Sequence, residues 1–399
     1  MRAMTRIPVQ ARSPVSAHGA ADGGRPAAGP GTAVLDAAAL QALAEDIRRW
    51  GRELGFQQVG ISGTDLGEHP AHLEKWLEAG HHADMEWLRE PKRVDPAALK
   101  PGTRRVISLR MDYLPAEPRI HQILQDGSRA YIARYALGRD YHKIIRPRLQ
   151  RLADRIAAEI GPFGYRAFVD SAPVLEKALA SQAGLGWMGK HTVIINRRAG
   201  SYFFLGELFT DLPLPVDVPV SNHCGSCQAC IDICPTKAIV APYVLDAGKC
   251  ISYLTIEYRG VIPVELRRPI GNRIFGCDDC QLVCPWNRYA QASQEPGFTP
   301  RHAFDGPPLL NLWDWDEATW LEQTAGMPLR RMNYTSWVRN LSIALGNAPA
   351  STEALTALTK RFSALETAGQ LDEVLREHLL WAMAEQRDKL ARLSPPPLR

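Results

Sequence analysis

All eight cysteines of this 399-residue chain lie between Cys224 and Cys284, and no other feature limits the fold so sharply. The first four read Cys224-Gly-Ser-Cys227-Gln-Ala-Cys230-Ile-Asp-Ile-Cys234-Pro235. This is the C-x2-C-x2-C-x3-C-P spacing with which bacterial ferredoxins hold iron–sulfur clusters. The others are Cys250 and, after a long gap, Cys277-Asp-Asp-Cys280-Gln-Leu-Val-Cys284-Pro285. Eight thiols satisfy two [4Fe–4S] cubanes with none left over. A short loop of three cysteines wraps three corners of one cube, and the cysteine before proline faces the other cube. The expected sets are therefore Cys224, Cys227 and Cys230 with Cys284, and Cys250, Cys277 and Cys280 with Cys234. Structural zinc also uses CxxC pairs but rarely carries two C-x3-C-P tails. A disulfide framework would call for a secretory signal, and no apolar leader is read at the start.

A chain of this length accommodates two or three domains with real cores. Hydrophobic residues make up 45% and charged residues 23%, as in ordinary globular proteins. No apolar run approaches the ~20 residues of a membrane helix, so no membrane partner is expected. The net charge of +4 permits a nucleic-acid partner without demanding one. Iron-binding thiolates require a reducing compartment, which points to the cytoplasm.

Residues 1–34 are rich in Ala, Gly, Pro and Arg without apolar periodicity and read as a disordered tail. Order begins near Asp36. Leu40, Leu43, Ile47 and Leu54 recur at helical spacing until Gly55. Strands are expected at 58–61, 105–110 and 165–170. Helices are expected at 141–160 and from Pro173 to about Ala183. A second helix carries Leu73, Trp76, Leu77 and Met85 on one face. Residues 192–196 and 201–205 suggest a hairpin around Arg197-Arg-Ala-Gly200. This alternation predicts an α+β protein whose N-terminal part, 35–217, is an α/β domain. Pro213 to Pro219 is an extended linker into a ferredoxin-like two-cluster domain, 218–295. From about 296 the character turns all-helical, with Trp313, Trp315, Trp320 and later amphipathic helices. These resemble two HEAT-like hairpins that must dock on the cluster region to be stable. Ser394-Pro-Pro-Pro397 reads as a frayed end.

Clusters move electrons, so an acceptor site is sought before them. In Val169-Asp170-Ser171-Ala172-Pro173, an acid ends a strand just before a turn, where open α/β sheets place their sites. Burial there would raise a carboxyl pKa and make a general acid. Asp170 equally suits the cap of a helix starting near Pro173. Gly138-Arg139-Asp140-Tyr141-His142-Lys143 packs a carboxylate, a phenol, an imidazole and two cations together. It fits an anionic or nucleotide substrate, or a solvated helix start capped by Asp140. Gly184-Leu-Gly-Trp-Met-Gly189-Lys190 is followed by His191 rather than Ser or Thr and follows a helix, so it is no phosphate loop. His81-His82 reads as a solvated loop. Arg197, Arg198, Arg267, Arg268, Lys237, Arg259, Arg273 and Arg288 together suggest a phosphate-binding face around the clusters.

Together these residues resemble the epoxyqueuosine reductase family, cobalamin-dependent enzymes that finish queuosine synthesis in tRNA. The resemblance covers nearly all of the chain from Asp36 onward. It rests on Arg134-Tyr-Ala-x-Gly138-Arg-Asp140-Tyr-His142-Lys, Val169-Asp-Ser-Ala-Pro-Val-Leu-Glu176, Gly186-Trp-x-Gly-Lys190, Gly200-Ser-Tyr-Phe-Phe-Leu-Gly206-Glu, both cysteine runs and Ser252-Tyr-Leu-Thr-Ile-Glu257. The departures are Tyr202, where tryptophan is expected, and the N-terminal tail. The resemblance implies that the N-terminal domain binds base-off cobalamin and that the two clusters feed it electrons. It implies Asp170 as proton donor to the epoxide oxygen, before loss of water gives queuosine at the wobble position. It also implies cobalamin contacts at Arg93, Ala133, Asp170, Ile194, Leu205 and Ser252. Asp140, Tyr141 and His142 become neighbours of the modified base, and Arg259 a tRNA contact. An external donor of flavodoxin or ferredoxin type, a monomer, and anticodon-stem contacts from the helical region complete the expectation.

Two other readings fit parts of the chain. One is a cobalamin and iron–sulfur enzyme of reductive dehalogenase type acting on a small substrate, which tRNA stem-loop binding would exclude. The other is a plain electron carrier, which cobalamin retention would exclude. A carrier has no need of ~180 residues ahead of its clusters.

Overall fold

The computed structural model describes residues 35–393. The tail at 1–34 and the end at 394–399 lie outside the described residues. Asp36 caps the first helix, Ala37–Glu53, by accepting from the Ala39 N–H at 2.8 Å. Its Leu43, Ile47 and Trp50 face the core.

The strands are β1 (Gln58–Ser62), β2 (Arg105–Asp112), β3 (Tyr131–Ile132), β4 (Tyr165–Phe168), β5 (Trp187–Met188), β6 (Ile194–Ile195), β7 (Phe203–Thr210), β8 (Ile239–Ala241), β9 (Val244–Leu245) and β10 (Arg273–Phe275). The main sheet runs β1-β2-β7-β4, and every neighbouring pair in it is antiparallel. The expected α/β domain is therefore corrected to an antiparallel α+β one. β4 is an edge strand whose Tyr165, Arg166 and Ala167 are partly exposed. One face of the sheet carries Ile61, Ile107, Leu109, Met111 and Leu208 into a core with helices Ala37–Glu53 and His142–Ile160. The opposite face carries Ser62, Ser108, Arg110, Asp112 and Glu207, all buried. Helix Glu176–Gln182 packs across β1, β2 and β7.

The expected hairpin is only its turn. Asn196 bridges Gly200, but β6 pairs with β5 whereas β7 enters the main sheet. The helix predicted from Pro173 begins at Glu176, with Leu175 as its cap. The second helix is His69–Glu78, so Met85 lies beyond it. His82 is buried rather than solvated, between Trp76 and Glu86.

The linker is extended and tied down: Asp217 accepts from the Ile61 N–H at 2.8 Å and pairs with Arg48 at 2.8 Å. Contacts then cross the boundary expected near residue 217. β10 pairs in parallel with β3, and buried Asp278 accepts from the Tyr131 hydroxyl at 2.5 Å and the Arg134 N–H at 2.8 Å. The C-terminal helices Leu309–Trp313, Glu317–Gln323, Tyr334–Asn347, Thr352–Thr367 and Glu373–Leu393 share one core with Ile132, Leu137, Ile274 and Phe275.

Candidate active site and thiol cavities

Asp170 stands two residues past β4 with φ of 51°. That left-handed conformation suits Asp better than most residues. Its side chain is 55% exposed, so the expected burial is not found, and it caps no helix. The Tyr141 hydroxyl donates to Asp170 Oδ2, and His142 Nε2 lies 3.7 Å from the same oxygen. His142 Nδ1 is 2.8 Å from Asp140 Oδ1, which also accepts from the His142 N–H at 3.0 Å. Tyr141 stacks between His142 and Phe204, each ring centroid 4.2 Å away. Burial and then the Asp170 charge push the phenol well above its ordinary pKa, so it remains a donor. The segment is pinned from the C-terminal side: Arg139 N–H donates to Gly297 O at 2.7 Å and Asp140 N–H to Gly326 O at 2.8 Å. Gly138 is required there, because a Cβ would come within 2.5 Å of Gly297 O.

These groups open into a cavity of about 170 Å³. Tyr141, Asp170, Glu176 and Lys177 form its polar side; Val193, Ile194, Phe203 and Leu205 form its apolar side. The structure thus brings Asp170, Tyr141, Ile194 and Leu205 to one mouth. Arg93 joins them, half-buried, with Glu176, Glu90 and Asp170 as the charges acting on it. Its Nε is buried without a partner. A neighbouring cavity of about 280 Å³ holds His142, Ser171, Arg146 and Arg166. Ala133 and Ser252 sit elsewhere, beside the cysteines. Ala133 donates to Phe275 O at 2.8 Å and lies 2.6 Å from where a Cβ on Gly276 would be. Ser252 lies two residues past Cys250 and favours its thiolate against the effect of burial.

Sequence reasoning missed the layer under Asp170. Glu207 is fully buried and neither carboxylate oxygen has a hydrogen-bond partner. Burial first, then Glu176 and Asp170, push its pKa well up. Burial and Asp170 push Glu176 up to about 8. A lone acid inside Phe203-Phe-Leu-Gly-Glu207-Leu-Phe209 was the available signal. On the same sheet face Ser62 Oγ and Ser108 Oγ are unpartnered, and Arg110 and Asp112 approach to 3.2 Å without hydrogen-bond alignment. Buried polar groups left this way call for an explanation, such as a ligand that satisfies them. Arg331 was also missed: it bonds Glu257 at 2.7 Å, covers the exposed Trp87 ring, and feels the Asp170 and Tyr141 charges.

All eight cysteines are free. Cys224, Cys227, Cys230 and Cys284 line a cavity of about 210 Å³ together with Lys190 and His191. Cys280 feels Cys250, Cys230 and Cys234, so the second group adjoins the first. Among the described residues no three such side chains converge on a single metal ion. A cubane, with its corners spread apart, suits thiols that ring a cavity. Lys190 is buried and donates to Gly225 O at 2.7 Å and Cys227 O at 2.8 Å, holding the cysteine loop rather than a phosphate. The expected basic face is only partly free. Arg273 is locked to Asp279 at 2.7 Å, and Arg267 is buried on Ile262 O at 2.8 Å. Arg259 is exposed but donates to Arg331 O at 2.9 Å. Among the described residues no helix is long and apolar enough to cross a membrane.

Two family profiles match the chain: epoxyqueuosine reductase QueG (DUF1730) over residues 93–171, and the 4Fe-4S double cluster binding domain over 223–287. Epoxyqueuosine reductase of Pseudomonas aeruginosa is 61% identical over 86% of this chain and 94% of its own length. That of Escherichia coli is 51% identical over 88% and 91%. A crystal structure of epoxyqueuosine reductase with an epoxyqueuosine-modified tRNA-Tyr stem loop superposes with a TM-score of 0.76 at 27% identity, covering 89% and 95% of the two chains. The Bacillus subtilis enzyme, described with a catalytic aspartate loop swung out of its active site, gives 0.77 at 28% identity over 88% and 93%.

Proposed function

The chain belongs to the epoxyqueuosine reductase family, and from that premise we propose how its residues convert epoxyqueuosine in tRNA to queuosine. It is an oxidoreductase of tRNA modification with an iron–sulfur double-cluster domain. The observation that carries the mechanism is the presentation of Asp170 at the cavity mouth by Tyr141 and His142.

An epoxide oxygen leaves poorly until it is protonated, and a positioned carboxylic acid supplies that proton. Asp170 is the proposed donor. The Tyr141 hydroxyl holds its Oδ2, His142 Nε2 stands 3.7 Å from that oxygen, and Asp140 orients the imidazole through Nδ1. Residues 35–217 are assigned to cobalamin, with Arg93, Asp170, Ile194 and Leu205 at the mouth and Ala133 and Ser252 toward the clusters. The apolar wall of Val193, Ile194, Phe203 and Leu205 is where the face of a planar ring would lie across the cavity mouth. Residues 218–295 are assigned to two clusters, one on Cys224, Cys227, Cys230 and Cys284, the other on Cys234, Cys250, Cys277 and Cys280. When bound, the clusters supply electrons singly and cobalamin supplies a strongly reducing metal centre. The helices between 296 and 393 are assigned as HEAT-like repeats against the anticodon stem. Arg146, Arg166, Arg259 and Arg331 are the exposed cations suited to phosphates near the wobble base. A cytoplasmic monomer served by a flavodoxin or ferredoxin completes the proposal.

The test is single-turnover conversion of an epoxyqueuosine stem-loop by protein reconstituted with clusters and cobalamin, wild type beside Asp170→Asn. The expected result is a rate loss of about 10²-fold or more in the variant, with both cofactors retained by absorbance. Equal rates would remove Asp170 from the chemistry. No conversion by fully loaded wild type would overturn the mechanism.

A further inference from the structure

Removing an epoxide oxygen as water consumes two electrons and two protons. One proton makes the ring oxygen a hydroxyl as the C–O bond breaks, and the second lets that hydroxyl leave as water while the carbon–carbon double bond forms. The electrons enter from the low-potential donor that the activity already requires. A single Asp170 carboxyl brings one proton.

We propose that Glu207 and Glu176 form a file of carboxyl groups behind Asp170 that stores the second proton and passes it forward, a proposal that rests on the reading of Asp170 as the proton donor. The geometry sets the order. Glu207 lies opposite Ser108 of β2 and Phe168 of β4, and β4 ends two residues before Asp170. Helix Glu176–Gln182 lies over β7, the strand that carries Glu207, and its first residue reaches the cavity wall beside Asp170. Glu176 and Asp170 line the same cavity, and the Asp170 charge acts on the Glu176 carboxyl.

Glu207 has no exposed surface and no hydrogen-bond partner. The charged groups acting on it are Glu176 and Asp170, both acidic. The nearby cations belong to the outer members. Lys177 and Arg93 act on Glu176, and Lys177 Nζ is engaged by Thr192 O at 3.0 Å. A fully buried carboxyl whose oxygens make no hydrogen bond and on which acidic charges act persists in the neutral form. Glu207 thus holds a proton that water does not reach directly. Both carboxyls that act on it lead to the mouth.

The experiment is single-turnover conversion in H2O–D2O mixtures with reconstituted wild type, Glu207→Gln, Glu176→Gln and Asp170→Asn. The file predicts a bowed proton inventory in wild type that becomes linear in Glu207→Gln, with a rate loss of about tenfold or more. Cobalamin and cluster absorbance stay at wild-type levels, and Glu207→Asp recovers part of the curvature. Glu176→Gln behaves like Glu207→Gln. A wild-type rate and curvature in Glu207→Gln overturns the file. So does loss of bound cobalamin in that variant, which makes Glu207 a cofactor contact. An unchanged rate in Asp170→Asn overturns the donor reading beneath it, an outcome distinct from either.

Discussion

Asp170 combines a left-handed backbone with a carboxylate that accepts from the Tyr141 hydroxyl, so the replacement used to probe it matters. Alanine disfavours φ of 51° and would mix backbone strain with lost chemistry, whereas asparagine tolerates it. Its neighbours make a separate prediction about pH. Desolvation raises Asp112 to about 6 against the opposing pull of Arg110, and it raises Glu176 to about 8. The fold therefore binds these protons more tightly than the unfolded chain does. Their contribution is complete below the unfolded carboxyl range and is lost as pH rises through 6 and then 8. For Asp112 the loss by pH 7 is about 3 kcal/mol. Asp112→Asn is expected to flatten the decline in urea-unfolding free energy between pH 4.5 and 7; an unchanged slope would refute the assignment. The contacts proposed for Tyr141, His142 and Arg93 rest on motif resemblance, whereas its place at a strand end already marked Asp170 as a candidate acid. Periodicity could not supply them, and the burial expected at Asp170 falls instead on Glu207. That carboxyl's surroundings come from β2, β4 and a helix some 30 to 100 residues away in sequence, which no local window can see.

At the level of elements, most helices and strands were readable from spacing and caps, but their partners were not. Alternating strands and helices suggested parallel crossovers, yet β7 inserts between β2 and β4 and makes the sheet antiparallel. All eight residues of β7 are buried, so it shows no alternation to reveal its pairing. The connection between the cluster region and the C-terminal helices was equally invisible. It runs through helix Tyr334–Asn347. Asn340 donates to Thr255 O and Ile274 O, both at 2.9 Å, and Arg339 donates to Leu254 O at 2.6 Å. Burial and then Arg259 push that guanidinium down to about 9. Asn340→Ala strands two buried carbonyls and is expected to cost about 2–4 kcal/mol. It should lower the urea midpoint without changing the slope. A change under ~0.5 kcal/mol would show that the carbonyls find other partners.

At the scale of the molecule, the cysteine region is clamped on both sides, by β3 through β10 and by helix Tyr334–Asn347 through Asn340. Stripping iron with a chelator is therefore expected to raise protease cleavage across 224–284 and across the C-terminal helices together. Cleavage confined to the cysteine loops would show that the helices stand alone. The shared core of Ile132, Leu137, Phe275, Trp337 and Leu345 has a further consequence for how the chain is made. Residues that leave the ribosome early wait for partners that leave it some 140 to 210 residues later. The strand that leads into Tyr135–His142 cannot close before β10 and the tryptophan-rich helices exist. A nascent chain halted before Gly297 would carry its thiols and its acid, yet lack the Gly297 and Gly326 carbonyls that pin Arg139 and Asp140 beside Tyr141 and His142. The order of synthesis thus defers the assembled catalytic mouth until translation is nearly complete.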